Sequence, residues 1–345
     1  MRQQTRDTAA LIAAVVLALI IAIFARPSER YTFGYDPDPE GARAFAATLA
    51  KPTFAMAAPD AMEFTEDKDV YLWRAMDIAH RDQYGIPFTP SNQKNIGSCV
   101  AHALAHCFYA SESVSYVMGE RDEPPLLAHQ GACYGGSRVE ARGKDGSGRS
   151  PVGGYSDGST GYHAAKWARD WGVVYKKEYP SRDCTVSNPT IEKEMGAFGC
   201  GGKGDMGRLD AEAKKTPCAY IAKVTTWNEL KAAIASGHPV LLASSQGFSR
   251  APLDSQSFAA PSGRWSHAMM CCAIRFDREG AAIMNSWGQY IKYSAPRVPA
   301  DLPDGTFWAD RKVVEGMLRS GDCWAISEVA FNYRPINNTD WLGAK

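Results

Sequence analysis

The sequence predicts an α+β fold, because segments with helical periodicity dominate its first half and segments with strand character dominate its second half. At 345 residues the chain exceeds a typical single domain of about 100–200 residues, which fits two lobes that share an interface. Apolar residues make up 45% and charged residues 22%, as in soluble globular proteins. Thirty-eight basic residues balance 38 acidic ones without a basic run, which excludes a nucleic-acid partner.

Helices are predicted mainly before the middle of the chain. A helical pattern begins near residue 70 and ends near 85, and a stronger one runs from 99 to 119. A third spans 162–171, with Gly172 in the position of a C-terminal cap. A fourth, over 226–237, already lies among the strands of the second half.

Strands are predicted in the second half. The fourth helix begins with the capping-box pattern of Thr226 and Glu229. The apolar run 239–243 that follows this helix has the character of a buried strand. Residues 267–276 and 281–287 are two more apolar runs joined by a short polar turn, which predicts a hairpin.

An apolar segment near the N-terminus predicts association with a membrane. Residues 9–25, which follow a short tail at 1–8, are 17 residues without a charge, and as a helix they would rise about 25 Å. Arg2 and Arg6 before the segment also fit a cleaved signal peptide. No small-x-small cleavage site follows, so we favour an uncleaved, single-pass transmembrane anchor.

The number of cysteines indicates on which side of the membrane the rest of the chain lies. The chain has nine cysteines, and eight remain if Cys99 is a catalytic residue. An even number is compatible with disulfides in an exported domain, which favours a periplasmic or extracellular location. Free buried thiols are the alternative for several of them.

Two segments show no sustained period. Residues 26–75 contain several prolines and are interpreted as a linker or a short prosegment. Residues 182–219 are polar, rich in glycine and interpreted as a surface insertion. A catalytic domain over 76–345 would remain.

The chemistry centres on Cys99, at the predicted start of a helix. A thiol attacks carbonyls as thiolate, and a helix N-terminus with a nearby imidazolium lowers its pKa. The sequence Asn-Gln-Lys-Asn-Ile-Gly-Ser-Cys over 92–99 resembles the NQGxCGSC segment of the papain family of cysteine peptidases. The resemblance implies that Cys99 is the nucleophile and that Gln93 and the Cys99 amide form the oxyanion hole.

Downstream motifs extend the resemblance. Ser-His-Ala-Met over 266–269 is similar to the family's histidine segment, and Asn-Ser-Trp-Gly over 285–288 reproduces its NSWG motif. His267 would then be the general base and acid, Asn285 would orient it, and Trp287 would shield their hydrogen bond from water. Gly161 resembles the glycine whose backbone pairs with an extended substrate.

The family resemblance also implies the architecture and the reaction. A helical lobe over about 76–180 would carry the nucleophile, and a mainly antiparallel β lobe over about 181–345 would carry the histidine and asparagine. A peptide or protein substrate would bind in the cleft between them and be cleaved through a thioester, without cofactor or metal.

Departures from the family pattern indicate a bacterial or phage branch. Ile96 and Ser159 stand where the family often has a disulfide, and Val100 replaces the tryptophan that commonly follows the nucleophile. No long helical propeptide signature lies ahead of the domain.

Three other interpretations remain at this point. The chain could be a catalytically silent papain-like binding or assembly module, although all four catalytic groups are present, or a hydrolase of peptidoglycan stem peptides. His102 and His106 lie four residues apart, a spacing that can hold a metal ion. No glutamate follows His102 as in a zincin, so core packing or internal hydrogen bonds are favoured for both.

Overall fold

The computed structural model describes residues 32–142, 157–218, 220–249, 253–288 and 296–336. The predicted anchor at 9–25 lies outside the described residues. Within the described parts of the chain, no helix combines the length and apolar character that a bilayer span requires.

The helices lie mainly before the sheet in the sequence, as predicted. The longest, α5, spans Cys99–Val117 and is buried on almost every side, which explains why its residues are apolar all round. The α-helices within the described residues are α1 Pro39–Ala47, α2 Phe54–Ala57, α3 Pro59–Phe64, α4 Leu72–Tyr84, α5 Cys99–Val117, α6 Gln130–Gly135, α7 Gly161–Asp170, α8 Pro189–Phe198, α9 Arg208–Ala213, α10 Trp227–Ala235 and α11 Arg311–Leu318. A single π-helical turn, Gly136–Glu140, extends α6.

The second half of the chain builds one antiparallel sheet in the order β4-β9-β5-β6-β7-β8, with β1 also paired to β6. Its strands are β1 Val70–Tyr71, β4 Tyr220–Lys223, β5 Val240–Phe248, β6 Pro261–Arg275, β7 Gly280–Met284, β8 Thr306–Asp310 and β9 Asp322–Ser327. The short strands β2 Glu178–Tyr179 and β3 Arg182–Asp183 form a separate hairpin. The α+β class and the predicted hairpin are therefore confirmed, with β6 longer than the sequence predicts.

Each face of the sheet is covered by its own core. Successive residues of a strand point to opposite faces, and along β5 Leu241 and Ala243 pack with the Cys99 helix, whereas Leu242 packs on the other side with α10 and α11. Residues 240–243 of β5 and 268–274 of β6 are buried on both faces, and these stretches are continuous apolar runs. This double burial fixes the position of β6, and with it His267, against α5.

The N-terminal segment is more ordered than a linker. Its described part contains α1, α2 and α3, and Phe54, Ala58 and Ala61 are fully buried. Glu229, in the capping box of α10, also accepts a hydrogen bond from the amide of Ala55 at 3.2 Å. This N-terminal segment is therefore packed against the helix α10 and the core beneath it.

Residues 182–219, interpreted from the sequence as a surface insertion, contain α8 and α9. Helix α8 packs against α6 beside the Cys99 helix, with Met195 and Glu192 buried. Several glycines of the segment serve turns and close helix contacts.

All nine cysteines are free and buried in the structure. The expectation of disulfides is therefore wrong, and the alternative of buried thiols applies. Several lie in the apolar clusters that cover the sheet faces, where free cysteine acts as a small apolar side chain.

Candidate active site

Cys99 is the first residue of α5 and has no exposed surface. The backbone amides of Ala268 in β6 and of the start of its own helix lie close enough to its thiol to oppose the rise of its pKa. Since Ala268 directly follows His267, the histidine segment of the sheet lies next to Cys99. The helix N-terminus also favours a negative charge on the sulfur.

His267 and Asn285 form a direct hydrogen bond, 2.8 Å between the histidine Nε2 and the asparagine Oδ1. The antiparallel pairing of β6 with β7 brings the two residues together. Because an amide oxygen only accepts, Nε2 carries the hydrogen and Nδ1 has its lone pair free. Nδ1 has no hydrogen-bond partner among the described residues. It is therefore available to take a proton.

Trp287 covers the histidine. Its ring centroid lies 4.4 Å from that of His267, with 31° between the ring planes, and its side chain has no exposed surface. Exclusion of water strengthens the hydrogen bond between His267 and Asn285.

Gln93 joins the two motif segments. Its backbone amide donates to the carbonyl of Ser286 at 2.9 Å, and its Oε1 accepts from the Ser286 hydroxyl at 2.6 Å. The side-chain amide then points its two hydrogens at the carbonyls of Ile96, at 2.7 Å, and Thr32, at 2.8 Å. The buried side-chain amide of Gln93 is thus fixed in the segment that leads to Cys99, and it already binds the carbonyl oxygen of Thr32.

Residues 32–36, which we call the cleft segment, cover the site. Tyr35 donates its backbone N–H to the carbonyl of Ser266 at 3.0 Å. Asp36 and Gly34 pair with the backbone of Ser159, with two hydrogen bonds of 2.8 Å. The cleft segment is therefore bound along its backbone as an extended strand.

The same segment lies against the candidate catalytic side chains. The amide of Gly34 is close enough to the Cys99 thiol to oppose the rise of its pKa. The ring of Phe33 lies edge-on, 6.1 Å from that of His267 and 5.7 Å from that of Trp287. Neither Cys99 nor His267 has any surface exposed to water.

Burial keeps the covered pair neutral. It raises the pKa of Cys99 to about 12, although hydrogen bonds from the amides of Ala268 and Gly34 oppose the rise. Burial also lowers the pKa of His267 to about 4, against the opposing effect of the Asn285 hydrogen bond. Thiol and imidazole, rather than thiolate and imidazolium, face each other while the cleft is covered.

A buried polar network lies beneath the nucleophile. The carboxylate of Glu192, on α8, accepts from the Ser98 hydroxyl at 2.6 Å and contacts His102 Nε2 at 3.3 Å. The hydroxyl of Ser91 bridges His102 Nδ1, at 2.7 Å, and His106 Nε2, at 2.9 Å. Internal hydrogen bonds thus account for both histidines.

Sequence inspection did not find Glu192, because nothing in the local pattern distinguishes it from the other charged residues of its helix. The start of α8 could have been predicted from Asn188, which caps the helix, and from Pro189, which is its first residue. Only the packing of α8 reveals which acidic residue reaches Ser98.

Gly161 and Ser159 have different roles in the structure. The N–H of Gly161 donates to the carboxylate of Asp322 at 2.8 Å, at the first turn of α7. The backbone that pairs with the cleft segment belongs to Ser159, two residues earlier. Contact between Gly161 and a substrate stays a prediction.

Comparison with known proteins gives matches among solved structures. Xylellain, a cysteine protease from Xylella fastidiosa, is 20% identical, with a TM-score of 0.48 over 86% of this chain and 91% of that chain. Digestive procathepsin L 3 of Tenebrio molitor is 14% identical, with a TM-score of 0.45 over 93% and 89%. The Amb a 11 cysteine protease of ragweed pollen, in its proform, is 12% identical, with a TM-score of 0.44 over 76% and 67%. No protein-family model and no curated protein matches the sequence.

We expect Glu192→Gln to lower the free energy of unfolding by about 1–3 kcal/mol at neutral pH, because it removes a buried charge to which Ser98 and His102 bind. Burial alone would raise the pKa of Glu192, but His102 and the hydroxyls of Ser98 and Ser187 outweigh it and hold that pKa below 4.5. The stabilisation is therefore present above the ordinary carboxyl pKa and is lost as the pH falls through the lowered value.

Urea unfolding of both proteins at neutral pH and at about pH 4 measures this difference, which should shrink in acid. Glu194→Gln is the control, since this neighbour on α8 forms a partly exposed ion pair with Arg182 and should cost less than about 1 kcal/mol. An equal loss at both pH values would show that the charge of Glu192 is not what stabilises the network.

Proposed function

We propose that this protein is a papain-type cysteine peptidase that hydrolyses peptide bonds through a thioester on Cys99. The observation that carries the proposal is the buried cluster in which a helix-terminal thiol contacts the strand of a His267–Asn285 pair, with the Gln93 amide alongside. The likeness to the NQGxCGSC and NSWG motifs agrees with it. A silent binding module would need none of these four groups.

His267 starts the reaction by taking the Cys99 proton on Nδ1, the nitrogen that Asn285 leaves free. The sulfur attacks the substrate carbonyl carbon, and the oxygen becomes negative. Gln93 Nε2 and the Cys99 N–H donate to that oxygen, each donor being worth about 3 kcal/mol. The carbonyl of Thr32, bound to Gln93 at 2.8 Å, marks the position of such an oxygen.

The tetrahedral intermediate collapses to a thioester as the carbon–nitrogen bond breaks, and the departing amine takes the proton from His267. Water then attacks the thioester while His267 accepts a proton from it. Cys99 regains that proton as the acid product leaves. Asn285 holds the same tautomer throughout.

We propose further that the cleft segment keeps the enzyme inactive until it moves away. The amide of Gly34 lies against the Cys99 thiol, and the carbonyl of Thr32 occupies the Gln93 amide. The presence of the segment also excludes substrate and keeps Cys99 and His267 neutral.

Membrane attachment through residues 9–25 belongs to the proposal too. The uncharged run of 17 residues supports it. Because all nine cysteines are free, they no longer favour one side of the membrane.

Deleting residues 9–25 should move the protein from the membrane fraction to the soluble fraction, because the uncharged run would no longer anchor it. Fractionation followed by alkaline carbonate extraction measures this. A deletion of 143–150, another stretch outside the described residues, serves as the control and should leave the distribution unchanged. A full-length protein that washes off in carbonate would contradict the anchor.

Cys99→Ala should abolish hydrolysis of a mixed peptide library, by at least about 10³-fold, because no other group forms the thioester. The measurement uses full-length protein, with and without an opening substitution at Gly34. Cys107→Ala, which alters another fully buried cysteine of α5, should keep its activity. With the opening substitution at Gly34 in both proteins, equal activity of Cys99→Ala and of the protein that keeps Cys99 would refute the peptidase proposal.

Gly34→Ala should activate the protein, because an added Cβ would lie 1.9 Å from the carbonyl oxygen of Gly97 and the segment could no longer fit. We expect alkylation of Cys99 and peptide hydrolysis to rise at least about tenfold, the equivalent of some 1.4 kcal/mol in the opening equilibrium. Mass spectrometry of the alkylated chain locates the label.

Gly316→Ala is the matched control, since its Cβ would meet only Arg319 Nη2, at 3.7 Å, and activity should not change. If folded Gly34→Ala reacted no faster than the unmodified protein, the cleft segment would not be the barrier.

A further inference from the structure

A cavity of about 190 Å³, which we call the glutamate cavity, lies beside the half of α5 that is remote from Cys99. Its innermost charged group is Glu112, which is 3% exposed and about 20 Å along the helix from Cys99. The side chains of Arg121 and Glu328, which are partly exposed, line its mouth. Apolar side chains form much of the remaining wall: Phe108, Val173 and Pro217.

The two carboxylate oxygens of Glu112 differ in their partners. Oε1 accepts a hydrogen bond from the Tyr175 hydroxyl and lies 4.0 Å from Nη1 of Arg121. Oε2 is buried and has no hydrogen-bond partner among the described residues. Because a buried acceptor without a donor is costly, Glu112 favours a molecule in the cavity that can donate to Oε2.

Other polar groups of the cavity already have partners within the protein. Arg121 donates from Nη1 to the Glu328 carboxylate and from Nε to the carbonyl of Glu123, both at 3.1 Å. The thiol of Cys218 donates to the carbonyl of Ser327 at 3.2 Å. A ligand would therefore gain most from Oε2 of Glu112.

The charges that line the cavity determine which kind of donor fits. Glu112 and Glu328 supply two negative charges when ionised, and Arg121 supplies one positive charge. No other charged side chain of the described residues lines the cavity. Tyr175 and Cys218 stay neutral, because burial and the nearby carboxylates raise the pKa of both groups. The remaining charge of −1 complements a ligand with a single positive charge.

A proton competes with such a cation for Glu112. Burial and the charge of Glu328 raise the pKa of Glu112 to about 8, although Arg121 and the Tyr175 hydrogen bond oppose the rise. Without a cation, the carboxyl group therefore holds a proton at neutral pH. A cation must displace this proton, so its apparent affinity should rise as the pH approaches 8 and level off above it.

We propose that the glutamate cavity binds a small primary ammonium ion, which donates to the Glu112 carboxylate and packs its alkyl chain on Phe108, Val173 and Pro217. An ammonium group has three N–H donors and one positive charge. The volume is below that of sites for drug-sized ligands, which limits the ligand to a short chain. A free amine and the side chain of a lysine share this chemistry. The site lies outside the cleft, and the inference does not depend on peptidase activity.

The test is calorimetric titration of full-length protein with n-butylammonium chloride at constant ionic strength. At pH 8 we expect a Kd of about 1 mM or lower for a ligand with five non-hydrogen atoms. At pH 7 the affinity should be about fivefold weaker, because the proton occupies more of Glu112. Absence of binding at pH 8, or equal affinity at both pH values, would overturn the proposal.

A ligand series separates the contributions of charge, N–H donors and chain. Affinity should rise about fourfold for each methylene from methylammonium to butylammonium. Tetramethylammonium, which has the charge without an N–H, and butanol, which has the chain without the charge, should bind at least about tenfold more weakly than butylammonium. Equal binding of either compound would overturn the proposal.

The two sources of the ammonium group are distinguished by Nα-acetyl-lysine methylamide. Binding as tight as that of butylammonium would assign the site to a lysine side chain of a peptide. Binding of butylammonium alone would assign it to a free amine.

Glu112→Gln, which keeps the shape of the side chain and removes the charge, should weaken butylammonium binding at least about tenfold. Glu123→Gln is the control, since Glu123 is an exposed neighbour of Arg121 that does not line the cavity. It should leave the Kd unchanged. An unchanged Kd in folded Glu112→Gln would place the amine elsewhere and overturn the proposal. If that variant did not fold, the pH dependence and the ligand series on the unmodified protein would still decide.

Discussion

The contact between the start of α5 and strand β6 is the constraint on which the site depends. At that contact the Cys99 thiol, at a helix N-terminus, meets the Ala268 amide, next to His267. A shift of either element would break its packing, because the part of β6 that carries His267 is buried on both faces and α5 is buried on almost all sides. These two packed elements therefore hold Cys99 and His267 together more firmly than loops could.

The hydrogen bonds around this contact organise the groups that do not lie on α5 or β6. Ser286 holds the Gln93 amide from the end of β7, and Asn285 holds His267 from the residue before it. One short segment after β7 thus positions both His267 and Gln93. From another part of the chain, Glu192 of α8 binds the Ser98 hydroxyl and so stiffens the turn that precedes Cys99.

The cleft segment satisfies polar groups that the proposed substrate would use. It supplies a carbonyl to Gln93, an N–H to Ser266 and a pair of backbone bonds to Ser159. The close approach of Gly34 to Gly97 permits no side chain, which is why glycine lies over the sulfur. While the cleft is covered, these polar groups are therefore hydrogen-bonded, and burial keeps Cys99 and His267 neutral.

The sequence by itself determined the α+β class, the helices near 72–84, 99–117, 161–170 and 227–235 and the β6–β7 hairpin, because periodicity, caps and turns are local properties. It also singled out Cys99, Gln93, His267 and Asn285, whose motifs are contiguous. Only the tertiary structure decided the course of the cleft segment and the burial of Glu192. Each joins residues far apart in the chain, by as many as 231 positions for Tyr35 and Ser266. Such pairs arise from packing, which no local pattern encodes.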